Sequence, residues 1–374
     1  MKKRYIHVVI PATILAAALT FAGCGAQNSS TTSTVATSVS SSSTQSAAPA
    51  TSSSTGTTSV DDVEWYSNRD LEQSPDLSDA KTLTVTDGQT ITITEEGTYV
   101  LTGTAANCTV LVNASEAKVQ LVLDGVSITN TSSPAIYVLD ADKCFVTTAA
   151  GSSNSLSVTG TFASDTANNV NTDAVIFAKS DLTLNGTGSL TISSTKNAVT
   201  SKDDLTITGG TYNITATSGK GFESNDSIAI NDGTFTINAK EGMESTYVRI
   251  DGGTISIKAS DDGINATQNS TKYNVLVEIN GGDITINMAS GDTDGVDSNG
   301  DITINGGTIN VTGTSTFDYD GTGTVNGGTV ITNGTQVTTL PTQQMGGRGA
   351  MGGASGNNRA NSGQTGGRMS VGRV

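Results

Sequence analysis

Between residues 197 and 334 the chain repeats one pattern of alternating apolar and polar residues, broken by Asn-Gly, Asp-Gly or Gly-Gly pairs. Alternation with period two is typical of β-strands, and the glycines supply the positive φ angles that tight corners require. In the copy SIAINDGTFTIN, the side chains predicted to point inward are those of Ile228, Ile230, Phe235 and Ile237. Helical periodicity is absent from the repeats, so the pattern predicts an all-β domain.

These copies recur with a period near twenty residues. The apolar residues that open them are Val199, Phe222, Met243, Ile264, Val296 and Phe317. A repeat of this length indicates a solenoid, and three strands with three corners per copy describe one rung of a parallel β-helix. Counting the inward openings gives about nine rungs, or roughly 45 Å of solenoid at the usual spacing of neighbouring strands.

The segment before the repeats predicts an N-terminal β cap. It begins at Asp61, holds the only tryptophan, Trp65, and continues as the alternating text KTLTVTDGQTITITEEGTYVLTG (81–103). Such a cap would cover the open end of the helix against edge pairing, with the rungs beginning near Thr109. Residues 61–336 are therefore assigned to one β-helix domain.

The regions on either side of this domain predict export and anchoring. Residues 1–23 combine three basic residues with an apolar run too short to span a bilayer comfortably, and end in Phe-Ala-Gly before Cys24. This is typical of a lipoprotein signal peptide, with a plain signal as the alternative, and a lipid on Cys24 would hold the protein to the outer face of the bacterial cytoplasmic membrane. Residues 24–60 are predicted to be a Ser/Thr-rich flexible tether, and 337–374 a disordered Gly/Arg-rich tail that could alternatively touch the anionic cell wall.

Net charge narrows the possible ligands. The chain carries 19 basic and 35 acidic residues, a net of −16. Three basic residues lie in the signal and four arginines after Leu340, which leaves 12 basic against 35 acidic residues and a net of −23 in between. This charge argues against nucleic acid and anionic lipid as direct ligands, so membrane contact is expected only through the anchor, and cations are favoured.

Two cysteines, Cys108 and Cys144, remain after lipidation. Export permits a disulfide, but the repeat alignment places Cys144 at the inward position of Val119 and Cys108 on a different strand. Because the alignment does not stack the pair, two buried free thiols are favoured over a disulfide.

A column of acidic residues runs beside the inward residues of the first strand in each copy. Since side chains alternate, the residue after each inward one must point outward. In order along the stack these residues are Thr200, Glu223, Glu244, Asn265, Asp297 and Asp318. The corners add further carboxylates at Glu241, Asp261, Asp262, Asp292, Asp294 and Asp320.

This convergence of carboxylates predicts bound calcium. Two carboxylates on neighbouring rungs repel each other by about 0.9 kcal/mol in water and about 3.5 kcal/mol at an effective dielectric constant near 20, so several in a row need a counter-charge. Ca²⁺ takes roughly six to eight oxygen ligands. The candidate metal ligands are Glu244, Asp261, Asp262, Asp292, Asp294, Asp297, Asp318 and Asp320. The alternative is that each Asp-Gly pair is ordinary corner chemistry with a solvated carboxylate.

Candidates for sugar contacts and catalysis are fewer. The only histidine, His7, lies in the signal, which excludes histidine-dependent catalysis from the mature protein, and no catalytic residue is assigned. An exposed tyrosine in the long insertion at 267–274 could stack on a sugar ring, and the candidate contacts are Glu223, Lys258, Lys272 and Tyr273. A lysine beside Ca²⁺ could also abstract the proton alpha to a uronate carboxylate, unless the lysines are simply solvated; the candidates are Lys202, Lys220, Lys240 and Lys258.

The sequence at about residues 80–334 resembles the clostridial-type carbohydrate-binding β-helix family. The segments that carry this resemblance are KVQLVLDGVSITN, PAIYVLDADK, AVIFAKSDLTLNGTGSLTI, SKDDLTITGG, DGVDSNGDITINGG and FDYDG. The resemblance implies a single-stranded right-handed parallel β-helix similar to pectate lyases, with bound calcium and affinity for cellulose and acidic plant polysaccharides, without demonstrated lyase activity. Carried onto this chain, the calcium positions would be the DDG at 261–263 and the DTDGVDSNG at 292–300. At 219–222 and 240–243, GKGF and KEGM replace the acidic pair that family members often carry, so fewer metal sites are expected.

The sequence thus predicts a monomeric, lipid-anchored, calcium-containing β-helix whose partner is a polysaccharide, either cellulose or an acidic plant polysaccharide such as polygalacturonate. Two other function classes remain open. One is a calcium-dependent lyase of the pectate type, and the other is a structural adhesin of the cell surface.

Overall fold

The computed structural model describes residues 64–291 and 293–341, and within these ranges the regular structure is entirely β. It therefore offers no helix that could cross a bilayer. The alternating text forms the following strands: β1 Lys81–Thr84, β2 Thr90–Ile93, β3 Gly97–Ala106, β4 Thr109–Asn113, β5 Lys118–Asn130, β6 Ile136–Asp140, β7 Lys143–Thr148, β8 Ser153–Val158, β9 Ala174–Ala178, β10 Asp181–Gly186, β11 Ser189–Ser194, β12 Asn197–Ser201, β13 Leu205–Ile207, β14 Thr211–Ser224, β15 Ser227–Ile230, β16 Thr234–Ser245, β17 Tyr247–Ile250, β18 Thr254–Ala259, β19 Asp262–Ala266, β20 Leu276–Ile279, β21 Asp283–Met288, β22 Asp294–Ser298, β23 Asp301–Ile304, β24 Thr308–Thr312, β25 Ser315–Tyr319, β26 Gly323–Val325, β27 Thr329–Thr332 and β28 Thr335–Val337.

Hydrogen bonds join these strands into three parallel ladders. Ladder one contains β2, β4, β6, β9, β12, the ends of β14 and β16, β19, β22 and β25. Ladder two contains β1, the starts of β3 and β5, β7, β10, β13, β15, β17, β20, β23 and β26. Ladder three contains the ends of β3 and β5, β8, β11, the starts of β14 and β16, β18, β21, β24 and β27, with β28 antiparallel to β27. The prediction of an all-β fold with strands paired one repeat apart is confirmed.

The core is a set of apolar stacks that run across the ladders. In ladder one each inward residue lies in register with the next, and the exposure of the whole stack is at most 1%; its members are Val110, Ile136, Ile176, Val199, Phe222, Met243, Ile264, Val296 and Phe317. Complete burial of a side chain of this size stabilises the folded state by about 1.5–3 kcal/mol. The stack therefore fixes the register, because a slip of one residue would turn all of these side chains outward.

A stack of glycines precedes the apolar stack in the second half of ladder one. A Cβ on Gly242 would lie 2.3 Å from the carbonyl oxygen of Gly263, and a Cβ on Gly263 would lie 2.3 Å from that of Gly295. Real Cβ atoms do not approach backbone oxygens this closely, so only glycine lets these strands pair in register. Because the strands pair in register at these glycines, the outward side chains before and after each glycine also align from one strand to the next.

The predicted N-terminal cap is part of the ladders. Strand β1 pairs in parallel with β3, with Lys81 opposite Tyr99, and β2 pairs in parallel with β4, with Ile91 opposite Val110. The expectation that the repeats begin near Thr109 is therefore wrong, because the strands before this residue already pair in register with the repeats. This first repeat is shorter than those that follow, which concealed it in the sequence.

Both described cysteines are free thiols with 0% exposure, as expected. Cys144 pairs in register with Val119, the inward position given by the repeat alignment. Burial raises the pKa of the Cys144 thiol to about 12, so it acts as a small apolar residue of the core.

Residues 64–73 do not belong to a ladder and cross the outer surface of ladder two; we call them the crossing segment. Near its start, the Tyr66 hydroxyl donates to Asp251 Oδ2 at 2.7 Å. Near its end, Asp70 is 2% exposed, and its Oδ1 lies 2.8 Å from Lys143 Nζ. These contacts join residues far apart in sequence, and the repeat pattern gave no indication of them.

Candidate functional site

The outward side chains of ladder one form an acidic ridge on both sides of the glycine stack; we define it as Glu223, Glu241, Glu244, Asp262, Asn265, Asp294, Asp297 and Asp318. After the apolar residue of each strand, Glu223, Glu244, Asn265, Asp297 and Asp318 follow one another in register. Before the glycine, Asp262 pairs with Asp294. The expected outward column is confirmed, because Val296 is 0% exposed while Asp297 beside it is half-buried on the surface.

Three lysines neutralise the first half of this ridge, and we call Glu223, Glu241 and Glu244 the lysine-paired half. Lys220 Nζ lies 3.1 Å from Glu244 Oε1 and 3.6 Å from Glu223 Oε1. Lys202 Nζ lies 3.3 Å from Glu223 Oε2, and Lys240 Nζ lies 3.1 Å from Glu241 Oε1. These ion pairs supply the counter-charge that adjacent carboxylates require.

The second half of the ridge is arranged differently, and we call Asp262, Asp297 and Asp318 the lysine-free half; Asp294 lies among them, in register with Asp262. Across residues 64–291 and 293–341, no lysine or arginine nitrogen lies within ion-pair distance of Asp262, Asp297 or Asp318. Asn265 Nδ2 donates to Asp262 Oδ2 at 3.3 Å, and the Tyr319 N–H donates to Asp318 Oδ1 at 3.0 Å. Neutral donors of this kind do not cancel the negative charge.

The pKa values of Glu223, Asp262 and Asp297 reflect this difference, whereas Glu241 is an exception in the lysine-paired half, because burial, and then Glu244, raises its pKa to about 7. Burial, and then the neighbouring Asp297, raises the pKa of Asp262 to about 7. Burial, and then Asp294, raises the pKa of Asp297 to about 6. Burial alone would also raise the pKa of Glu223, but Lys202 and Lys220 outweigh it and lower that pKa. Ionised carboxylates are therefore stabilised at Glu223 and destabilised at Asp262 and Asp297.

Two buried oxygen atoms beside the lysine-free half accept no hydrogen bond from the described residues. They are Oδ1 of Asn265, a residue that is 9% exposed, and Oγ of Ser315, a residue that is 6% exposed. Asn265 lies in register with Asp297, and Ser315 with Asp294. Buried polar atoms without partners are costly, so oxygens placed among carboxylates suit a bound cation.

Not all of the predicted metal ligands lie in this half. Glu244 is held by Lys220, and Asp261 by Lys240 at 2.5 Å. Asp320 follows β25, is exposed, and adds to the negative charge that acts on Asp297. Asp292 and the predicted lipid anchor Cys24 lie outside the described residues.

The predicted sugar contacts are not brought to one place. Glu223 lies on the ridge, and Lys258 lies on ladder three between Asn238 and Asn287. The expectation that Tyr273 is exposed is wrong, because the residue is only 6% exposed. Its ring packs against Trp65 of the crossing segment, with ring centroids 5.5 Å apart, so the insertion folds back onto ladder two.

The structure adds an acidic cluster on ladder two that the sequence reasoning missed. Carboxylate oxygens of Asp181, Asp203 and Asp204 lie within 4.8 Å of one another. Lys272 Nζ lies 2.7 Å from Asp204 Oδ2 and 3.2 Å from Asp226 Oδ2. Burial would lower the pKa of Lys272, but the hydrogen bond to Asp204 and the surrounding carboxylates raise it. A lysine is therefore the counter-ion of this cluster, and the adjacent aspartates at 203–204 were its only signal in the sequence.

Known proteins place the chain in a family. The model of a family described as carbohydrate-binding domain-containing protein matches residues 87–339, so the chain belongs to that family. A carbohydrate-binding domain-containing protein from Acetivibrio thermocellus is 40% identical over 211 residues, which are 52% of this chain and 74% of that protein. A solved structure of the polysaccharide lyase-like protein from C. thermocellum, a gadolinium derivative, is 25% identical with a TM-score of 0.45, and covers 70% of this chain and 97% of that chain.

Proposed function

We propose that this protein binds calcium on the acidic ridge and polysaccharide at the cell surface, with cellulose or an acidic plant polysaccharide such as polygalacturonate as its ligand. In this proposal the three ladders are the faces of a right-handed parallel β-helix with three strands per rung and about nine rungs. A lipid on Cys24 anchors the monomeric protein outside the cytoplasmic membrane. Membership of a carbohydrate-binding family supports the ligand class.

The observation that carries the calcium proposal is the lysine-free half of the ridge. Asp262, Asp297 and Asp318 lie on consecutive paired strands, with Asp294 in register with Asp262, close to the unpartnered oxygens of Asn265 and Ser315. Carboxylate, amide and hydroxyl oxygens are the hard donors that Ca²⁺ prefers, and the ion would supply the charge that lysines supply elsewhere on the ridge. Asp292 and Asp320 are the nearest further candidates in the sequence.

Calcium would also link the ridge to acidic polysaccharide. Ca²⁺ takes roughly six to eight oxygen ligands, so uronate carboxylates can complete its coordination where the ridge supplies fewer. Without the ion, a polyanion would meet a surface of the same sign. Binding of polygalacturonate is therefore expected to require calcium, whereas binding of neutral cellulose is not.

A calcium-dependent lyase is the second candidate, because lysines lie among the carboxylates. A lysine must be neutral to abstract a proton. Burial would lower the pKa of Lys220, but the surrounding glutamates raise it, and the hydrogen bond to Asp261 raises the pKa of Lys240. Both side chains are therefore poor bases, and Lys258 lies on another ladder.

One experiment separates these functions. The purified chain is incubated with polygalacturonate, with calcium or with chelator, and both retention on the polymer and ultraviolet absorbance of the unsaturated product are followed. We expect calcium-dependent retention without product, and retention on insoluble cellulose in either condition. Accumulation of product would assign the lyase function, and no retention on either polymer would refute polysaccharide binding.

The anchor has its own test. Metabolic labelling with a fatty acid should mark the wild-type protein in the membrane fraction, and Cys24→Ala should lose the label and release or misprocess the protein. Unchanged membrane retention of Cys24→Ala would contradict the proposed anchor.

A further inference from the structure

A cavity of about 280 Å³ lies between the crossing segment and ladder two, on a different surface from the acidic ridge. Its floor includes Asp181, Asp204, Thr206 and Ser227, and Trp65 and Tyr273 line its walls. Trp65 comes from the crossing segment and Tyr273 from the insertion, so both walls are built by segments outside the repeats. We propose that this cleft binds a neutral pyranose chain, a proposal that rests on the polysaccharide-binding function above.

The walls of the cleft are fixed before any ligand arrives. The crossing segment is held at Asp70, which accepts a hydrogen bond from Thr183 Oγ1 at 2.5 Å and an ion pair from Lys143 at 2.8 Å. The insertion is held by Lys272 on Asp204. A pre-organised cleft saves the cost of ordering loops when a sugar binds.

The groups in the cleft match the chemistry of sugar hydroxyls. Asp204 Oδ1 accepts a hydrogen bond from Ser227 Oγ at 2.6 Å, and Asp204 Oδ2 accepts one from Lys272 Nζ at 2.7 Å. These bonds orient the carboxylate, while each oxygen keeps a second acceptor position. Asp181 is half-buried at the floor, and its Oδ1 accepts the Asp204 N–H at 3.3 Å. Sugar hydroxyls donate well to such carboxylates. The indole of Trp65 packs against Tyr247 and Tyr273 and lies under the Arg249 guanidinium, but it is only half-buried, so its remaining surface offers an apolar contact for a ring.

The charge of the cleft favours a neutral sugar over a uronate. The two lysines that line it are already paired, Lys143 with Asp70 at 2.8 Å and Lys118 with Asp142 at 3.6 Å. A uronate carboxylate would therefore face Asp181 and Asp204 without a free cation among the described lining residues. Neutral and acidic chains would thus bind on different surfaces of one molecule.

Trp65 is the only tryptophan in the chain, so its fluorescence reports directly on the cleft. The full chain in chelator is titrated with neutral hexaoses of glucose, mannose and xylose, and with hexagalacturonate. We expect a saturable change in emission with at least one neutral hexaose and none with hexagalacturonate. Asp181→Asn, which keeps the side-chain shape, should weaken the neutral ligand about ten-fold, the loss expected for one hydrogen bond to a charged acceptor.

The matched control is Asp283→Asn, an exposed aspartate at the start of β21, which should bind as the wild type does. If the protein is retained on cellulose while Trp65 emission stays constant and Asp181→Asn binds normally, the cleft is not the site although polysaccharide binding stands. An equal response to hexagalacturonate would refute the selectivity for neutral chains. Failure to bind any polysaccharide would refute the proposed function together with this one.

Discussion

The acidic ridge contains two regions of like fold and unlike electrostatics. In the lysine-paired half, three glutamates lie beside Lys202, Lys220 and Lys240 at 3.1–3.6 Å. In the lysine-free half, burial and neighbouring carboxylates raise the pKa values of Asp262 and Asp297. Backbone register is the same in both, so the difference lies only in the side chains.

This comparison shows that copies of one repeat can serve two ends: one half of the ridge is stabilised by the protein's own lysines, and the other is open to a bound cation. A tethered lysine is always present and closes its site, whereas a site that depends on a diffusible cation remains open to that cation and to a ligand that shares it. The positions that GKGF and KEGM occupy in the sequence are those where two of the three lysines, Lys220 and Lys240, enter the ridge. Changes at these positions should therefore exchange the properties of the two halves.

The largest effect is expected from removing calcium. At a calcium concentration a hundredfold above Kd, binding should add about 2.7 kcal/mol to the free energy of unfolding. For a domain of this size that is a rise in Tm of roughly 5 °C, measurable by circular dichroism in calcium and in chelator. The triple variant Asp292→Asn, Asp294→Asn, Asp297→Asn should lose most of the response, and Asp232→Asn, an exposed aspartate outside the ridge, should keep it. Equal melting in calcium and chelator would mean that the ridge is only a solvated acidic surface.

A smaller effect is expected when the paired half is made to resemble the other. Lys220→Met leaves Glu223 and Glu244 without their shared cation, and should lower the free energy of unfolding by about 2 kcal/mol, less than for a fully buried pair because the lysine is 19% exposed. Calcium should restore part of this loss. Urea unfolding with and without calcium measures both, with Lys179→Met, an exposed lysine, as the control. If both variants unfold alike, the lysine pairs do not stabilise the ridge.

The smallest effect is a dependence on pH in the metal-free protein. The folded pKa values of Asp262, about 7, and Asp297, about 6, lie above the ordinary value of 3.8. Such groups stabilise the fold while protonated, so this contribution is fully present below the ordinary pKa of 3.8 and is lost progressively until pH has risen through 6 to 7. Because both side chains are only half-buried, solvent screening reduces the effect of these shifts. In chelator, stability should therefore be about 1 kcal/mol higher at pH 5 than at pH 7.5, and calcium should reverse the trend because protons compete with it.

Two glutamates of the lysine-paired half also bear on that pH experiment. Glu223 has a lowered pKa, so its contribution is lost only when pH falls through values below its ordinary 4.5, outside the range used. Glu241, raised to about 7 by burial first, contributes in the same direction as the aspartates. The double variant Asp262→Asn, Asp297→Asn should therefore flatten most but not all of the slope. A slope unchanged in that variant would assign the effect to other groups.

The register of the ladders was predictable because it depends on local rules. Alternation fixes which side chains point inward, and a glycine precedes the apolar residue in the four copies that open with Phe222, Met243, Ile264 and Val296, so the stack from Val199 to Phe317 could be aligned without coordinates. The outward position of Asp297 followed from that of Val296. The repeat alignment also places Lys220 and Glu241 in the same column, so a lysine within the acidic ridge could have been predicted from the sequence.

The cleft could not be predicted in this way. Its walls come from the crossing segment and the insertion, and the contacts that hold them join Asp70 to Thr183 and Lys272 to Asp204, 113 and 68 residues apart. No periodicity relates such positions, and the pairing depends on which surface remains uncovered after the ladders form. Trp65 could be recognised as unusual, but its neighbour Tyr273 could not be assigned to it from sequence.

Strand β28 has a consequence for how molecules meet end to end. Asn333 and Gly334, both with positive φ, reverse the chain so that β28 pairs antiparallel with β27. A parallel solenoid exposes a strand edge at its last turn that invites another copy to continue it, as in a fibril. The short reversed strand occupies this edge on ladder three, so a second molecule cannot extend that ladder in register, and the protein is protected there against polymerisation.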